Sequence, residues 1–236
     1  MNGESTLPER YERVLGRIRA ACAAAHRPAD DVGLLAVSKT FSADQVHALA
    51  ALGQRAFGES YLQEALAKID ACADLTLEWH FIGPLQSNKT RPVAERFDWV
   101  HSVDRERIAR RLSEQRPAQL PQLNVCLQVN VSAEATKSGC APDEVAALAR
   151  LVSTLPGLRL RGLMAIPAPT TDPVVQRAQF ARLRQIQEQL HEDGMTLDTL
   201  SMGMSDDLEA AIAEGSTLVR VGSALFGARQ SQTEQA

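Results

Sequence analysis

Eight times in 236 residues, a short apolar segment runs into a segment that carries its own helix-start signal. The apolar segments are Leu34–Lys39, Arg55–Glu59, Glu78–Gly83, Trp99–Val103, Val125–Val131, Leu158–Ile166, Leu197–Met202 and Leu218–Gly222, with starts 21 to 39 residues apart. Near-continuous apolar character marks a strand buried on both faces, as in parallel sheets, and parallel neighbours need a crossover that is usually a helix. Alternation of this kind defines the α/β class. Eight such units in about 250 residues point to one closed (β/α)8 TIM-like barrel. A doubly wound open sheet is the alternative, but no G-x-G-x-x-G turn follows the first strand.

The helix signals define boundaries. Thr6 with Glu9 forms a capping box, Pro8 suits a first turn, and Tyr11, Val14, Leu15, Ile18, Cys22 and Ala25 share one face, so an extra helix precedes the barrel and ends near Arg27-Pro28. Ser42 with Gln45 opens the next helix and Gly53 closes it; Leu62, Ala65, Leu66 and Ile69 face inward on the third. Pro92 is expected to interrupt the fourth, Asp104 to cap the fifth, and Gly162 to break the sixth strand. A polar loop spans Ser132–Cys140 before a helix at Pro142–Thr154. Pro167, Pro169 and Pro173 frame the longest loop and the start of the helix that carries Phe180, Leu183, Ile186 and Leu190. The helix after the seventh strand runs from near Ser205 to Gly215. One domain over 1–229 and a polar tail over 230–236 follow.

A net charge of −4 gives no basic footprint for nucleic acid or an anionic membrane. No apolar run approaches the ~20 residues of a membrane span, and Met1–Ser5 has no signal-peptide pattern. Four scattered cysteines (Cys22, Cys72, Cys126, Cys140) read as reduced thiols of a cytoplasmic protein.

In a barrel of this kind, chemistry collects at the C-terminal ends of the strands. Lys39 is one of only four lysines against twenty-one arginines, and it sits where an apolar strand stops. It is either a solvated strand-end lysine or a desolvated amine able to form a Schiff base. Glu59 and Ser60, then Phe81, Gly83 and His80, stand on the next two strands. Asn130, Met164 and Ser201 through Ser205, including Met204, stand on the fifth to seventh. After the eighth strand, Gly222 allows close backbone approach, and Ser223 opens a short helical turn whose amides suit an anion. Ser205 would cap its helix or lend its hydroxyl to that anion, while Asp206 and Asp207 oppose a phosphate beside them. Arg220, inside an apolar strand, is either salt-bridged to a carboxylate such as Glu59 or a fixed cation facing a ligand. Lysine, phosphate cradle and buried arginine on one rim suggest pyridoxal 5′-phosphate. A metal site is disfavoured, because His80 and His101 lack an acidic third ligand beside them.

Several long motifs resemble the pyridoxal phosphate homeostasis proteins: Ala36-Val37-Ser38-Lys39-Thr40, Phe57-Gly58-Glu59, Trp79 through Lys89, Arg161 through Pro167, Leu200 through Asp207, and Val219 through Ser223. The resemblance covers nearly the whole chain in order. It implies a fold-type III barrel like the N-terminal domain of alanine racemase, without that enzyme's C-terminal β-domain. It further implies cofactor attachment at Lys39, phosphate contacts at Ser205, Gly222 and Ser223, and a ring-nitrogen contact at Arg220. Asn130, Met164, Ser201 and Met204 complete the expected cofactor surround. The family usually has Asn where this chain has Ser60, which puts any contact of that side chain in doubt.

Two functions of different class follow. One is a non-catalytic holder that buffers pyridoxal phosphate, hands it to apo-enzymes and serves vitamin B6 homeostasis as a monomer. The other is a fold-type III amino-acid racemase. Racemases need a second base on the opposite face of the substrate carbon; the only tyrosines are Tyr11 and Tyr61, and Tyr61 reads as a helix-packing residue. A Schiff-base aldolase would use the lysine but would not need the cradle and Arg220 together.

Overall fold

Strand pairing closes on itself. The computed structural model describes residues 5–132 and 138–227, and within them eight parallel strands follow the order β1-β2-β3-β4-β5-β6-β7-β8, with β8 pairing back to β1. The strands are β1 (Gly33–Val37), β2 (Ala56–Glu59), β3 (Glu78–Phe81), β4 (Trp99–Val103), β5 (Leu123–Gln128), β6 (Leu158–Met164), β7 (Thr199–Ser201) and β8 (Leu218–Val221). Helix α1 (Leu7–Ala24) precedes them; α2 (Ala43–Ala51), α3 (Leu62–Ala71), α4 (Thr90–Arg96), α5 (Glu106–Gln115), α6 (Val145–Ser153), α7 (Pro173–Glu192) and α8 (Leu208–Ala213) connect them; α9 (Ser223–Phe226) follows β8. The tail at 230–236 and the centre of the Ser132–Cys140 loop lie outside the described residues.

Two capping boxes form as the sequence spacing requires, Thr6 with Glu9 and Ser42 with Gln45. Other boundaries differ from expectation for local reasons. Pro92 falls in the first turn of α4, where no intrahelical N–H is needed, and does not interrupt it. Arg105, not Asp104, caps α5, and Asp104 forms an ion pair with Arg105 instead. The eighth helix starts at Leu208, because the Asp207 carboxylate accepts the Met204 N–H at 2.6 Å and holds residues 204–207 as a turn. β5 stops at Gln128, after which Val129 bridges Cys140 as the loop folds back. β6 runs unbroken through Gly162, where the β5–β6 ladder slips by one residue. A Cβ on Gly162 would lie 1.8 Å from the Thr199 carbonyl oxygen, so glycine there answers a close approach of β7.

Alternation divides the side chains into two sets. Outward residues such as Phe57, Val100, Val125, Leu163 and Val219 pack with Val46, Leu49, Ile108, Leu112 and Leu183 of the helices in the main core. Inside the barrel, Trp99, Cys126 and Met164 form a separate apolar cluster. Beside it lie buried polar groups: His80, His101, Ser201 and Arg220.

Candidate functional site

β1 ends at Val37, so Lys39 stands in the turn beyond the strand rather than at its last position. Three interactions shape that turn. Ser38 donates its N–H to the Gly58 carbonyl at 3.0 Å and accepts the Phe41 N–H at 3.0 Å. The Ser38 hydroxyl donates to Glu59 Oε1 at 2.6 Å. Thr40 adopts φ +69°, left-handed backbone that a β-branched residue rarely takes, and its N–H is held by Glu64 Oε1 at 2.6 Å. Strain on the residue next to Lys39 means that the surroundings fix how that lysine is presented.

Lys68 supplies much of the fixing. Its ammonium is buried and donates to the Ser38 carbonyl at 2.7 Å, to Glu59 Oε1 at 2.6 Å and to Glu64 Oε1 at 2.9 Å. The sequence singles out Lys39 and assigns Lys68 no role. The Glu64/Lys68 spacing of four residues and a glutamate closing an apolar strand were the signals available. Burial pushes the Glu59 carboxyl up, opposed by the Lys68 ammonium and the Ser38 hydroxyl.

Arg220 is not paired with Glu59. Its Nη1 donates to the Ser201 carbonyl at 2.5 Å and to Ser201 Oγ at 2.7 Å, and its Nη2 donates to the Ala165 carbonyl at 2.8 Å. Three of five guanidinium N–H bonds thus end on protein oxygens; Nε–H and the second Nη2–H have no acceptor among the described residues. Burial pulls the guanidinium down to about 10, with Asp207 opposing, so it stays cationic at neutral pH.

The eighth strand brings Gly222 and Ser223 to the first. A Cβ on Gly222 would stand 3.3 Å from the Val37 carbonyl oxygen. The amides of Ser223 and Ala224 open α9 and find no backbone acceptor among the described residues, whereas Leu225, Phe226 and Gly227 bond back into the turn. Arg10 of α1 donates to the Leu225 carbonyl at 2.6 Å and pins the far end of that turn. The Ser205 carbonyl is held by Arg17 at 2.9 Å.

The remaining rim residues divide. Ser201 is buried and holds Arg220. Met164 is buried with Trp99 and Cys126 inside the barrel. Met204 is exposed on the turn after β7. Asn130 lies beyond β5, its N–H on the Cys140 carbonyl at 3.0 Å. Tyr61, expected to pack, is 56% exposed at the start of α3. His80 and His101 are core hydrogen-bonders, 2.9 Å apart. No cluster of metal-ligating side chains occurs among the described residues.

A closed α/β barrel with a lysine, a buried arginine and amides of a short helical turn on its C-terminal rim is the arrangement of a phosphate-bearing carbonyl-ligand binder. The chain belongs to the pyridoxal phosphate homeostasis proteins, within the family described as alanine racemase, N-terminal domain, which matches residues 14–230. The pyridoxal phosphate homeostasis protein of Pseudomonas aeruginosa is 65% identical over 225 residues, covering 95% of this chain and 96% of that one. PipY of Synechococcus elongatus, solved with PLP bound, superposes with a TM-score of 0.77 at 39% identity over 89% of this chain and 99% of its own. An alanine racemase of Clostridium difficile shares the fold at TM-score 0.76 and 15% identity, over 92% of this chain and 56% of the racemase.

Proposed function

We propose that the chain holds pyridoxal 5′-phosphate as a Schiff base on Lys39 and takes part in vitamin B6 homeostasis, buffering the cofactor and handing it to apo-enzymes without turnover of its own. The observation that carries this reading is Arg220: buried, held by three hydrogen bonds to Ser201 and Ala165, and cationic, with two donors left over for a ring nitrogen. The relatives' names and PLP in PipY support the same ligand.

Each residue then has a role. The cofactor supplies an aldehyde that condenses reversibly with amines. The Ser38–Glu59–Lys68–Glu64 group presents Lys39 for that condensation. Gly222, Ser223 and the Ser205 hydroxyl receive the phosphate, with Asn130, Met164, Ser201 and Met204 around the ring. Arg220 donates to the ring nitrogen and keeps it unprotonated, because guanidinium gives up its proton only far above neutral pH. A ring without that proton is a weak electron sink, which suits holding over turnover.

A racemase reading needs a second base, and the tyrosines do not favour it. Tyr11 is buried in α1 with its hydroxyl 3.4 Å from Gln54, and Tyr61 is largely solvated. The holder is read as a monomer, and as cytoplasmic in keeping with four buried free thiols. The test is an absorbance band in the near-visible on adding pyridoxal phosphate, with no measurable conversion of L- or D-amino acids by the pure protein. Fast turnover of any amino acid would contradict the reading.

A further inference from the structure

Behind Arg220 a line of hydrogen bonds crosses the barrel. Ser201 Oγ, which accepts from Arg220, lies 2.8 Å from His101 Nδ1. His101 Nε2 lies 2.9 Å from His80 Nδ1, and His80 Nε2 lies 2.7 Å from Glu78 Oε1. Ser201, His80, His101 and Arg220 are all at most 4% exposed. Glu78, the first residue of β3, opens with His80, Trp99, Arg161 and Asp198 onto a recess of about 320 Å³ at the N-terminal mouth. The line therefore joins the rim that carries Lys39 to the opposite face.

Chemistry gives the line one direction. Guanidinium can only donate, and an ionised carboxylate can only accept. With a cation on its lone pair, the Ser201 hydroxyl turns its single proton to His101 Nδ1. His101 then carries its proton on Nε2 and donates to His80 Nδ1; His80 carries its own on Nε2 and donates to Glu78. Burial holds both imidazoles below their ordinary range, so each is neutral with one N–H to give. The His80 bond holds Glu78 below the usual carboxylate range and therefore ionised.

We propose that Glu78, His80, His101 and Ser201 are positioning residues for Arg220, and that the acceptor at position 78, at the N-terminal mouth, thereby governs how tightly the C-terminal mouth holds its ligand. The ligand half rests on the reading that Arg220 meets the pyridoxal phosphate ring. The Glu78 anion draws every proton in the line toward itself, which strengthens the Arg220 bond to Ser201 and fixes the guanidinium plane. A donor at position 78 would reverse the line. Both histidines would move their protons to Nδ1, and the Ser201 hydroxyl would meet a donor on each side.

Glu78→Lys tests this on the full chain, and a side chain 48% exposed at that position lets the variant fold. Asp30→Lys is the control: it puts the same charge in the same recess without touching the line. Long-range ¹H–¹⁵N correlation of the ligand-free protein near neutral pH should show Nε2–H tautomers at His80 and His101 in the wild type, and Nδ1–H at both in Glu78→Lys. Titration should show the Kd for pyridoxal phosphate rising about three- to tenfold in Glu78→Lys, the equivalent of one hydrogen bond, and by less than about twofold in Asp30→Lys. A His101 tautomer that ignores residue 78, or an equal loss in Asp30→Lys, would overturn the proposal. Failure of the wild type to bind pyridoxal phosphate would overturn the functional reading and the ligand half with it, while the tautomer pattern decides the hydrogen-bonded half independently.

Discussion

Arg220 stands directly opposite Leu35 in the parallel ladder between β8 and β1, with Val221 opposite Ala36. That register brings Gly222 beside Val37 and carries Ser223 and Lys39 past the ends of their strands on the same side of the barrel. Barrel closure, which joins the first strand to the last, is what gathers Lys39 and Ser223, 184 positions apart, into one rim. The neighbouring ladders impose their own demands, and the closest approach among them lies at Gly162. Gly162→Ala drives a methyl into the Thr199 carbonyl. It should destabilise the barrel by about 3 kcal/mol or more, read as a lowered urea midpoint.

The buried ammonium of Lys68 makes the second prediction. Lys68→Met leaves Glu59 as a fully buried carboxylate without its cation, which should cost about 3–5 kcal/mol in chemical unfolding. Glu59→Gln combined with Lys68→Met should recover a large part of that loss. A double variant no more stable than Lys68→Met would show that Lys68 acts through packing alone.

The histidines predict a pH dependence. His80 and His101 are depressed from 6.5, so the folded chain keeps them neutral where the unfolded chain protonates them. Their contribution is complete above the unfolded value and is lost as pH falls below it toward the folded values, at up to about 1.4 kcal/mol per pH unit for each. His47, raised by the Ala43 carbonyl and Asp74, works in the opposite sense and fades as pH rises. Urea midpoints should therefore drop on acidification from neutrality, and His101→Gln should make that slope shallower. An unchanged slope would contradict the neutral, buried assignment.

Thiol chemistry is a fourth check. Burial pushes Cys126 and Cys140 up to about 12, and all four cysteines are buried. The native protein should resist a disulfide-exchange reagent at neutral pH, with the thiols released together on unfolding.

The strand–helix rhythm and the two capping boxes were legible because each is decided within a few residues. Lys39, Arg220, Gly222 and Ser223 could be placed on one rim because barrel closure follows from strand number. Lys68 was not legible: its burial depends on Glu59 and on a strand-end carbonyl, nine and thirty residues away. The acceptors of Arg220 were hidden for the same reason, since a carboxylate looked like the natural partner and the fold supplied carbonyls and a hydroxyl instead. The slip in the β5–β6 ladder and the Asp207 turn arise from contacts between strands and within one loop that residue spacing alone does not encode.

Borohydride reduction of the pyridoxal phosphate-loaded protein followed by peptide mass mapping reads out which lysine carries the cofactor. One phosphopyridoxyl group per chain is expected on Lys39, absent from Lys39→Ala. The same adduct at the same stoichiometry in Lys39→Ala, or its location on Lys68, Lys89 or Lys137 in the wild type, would contradict it.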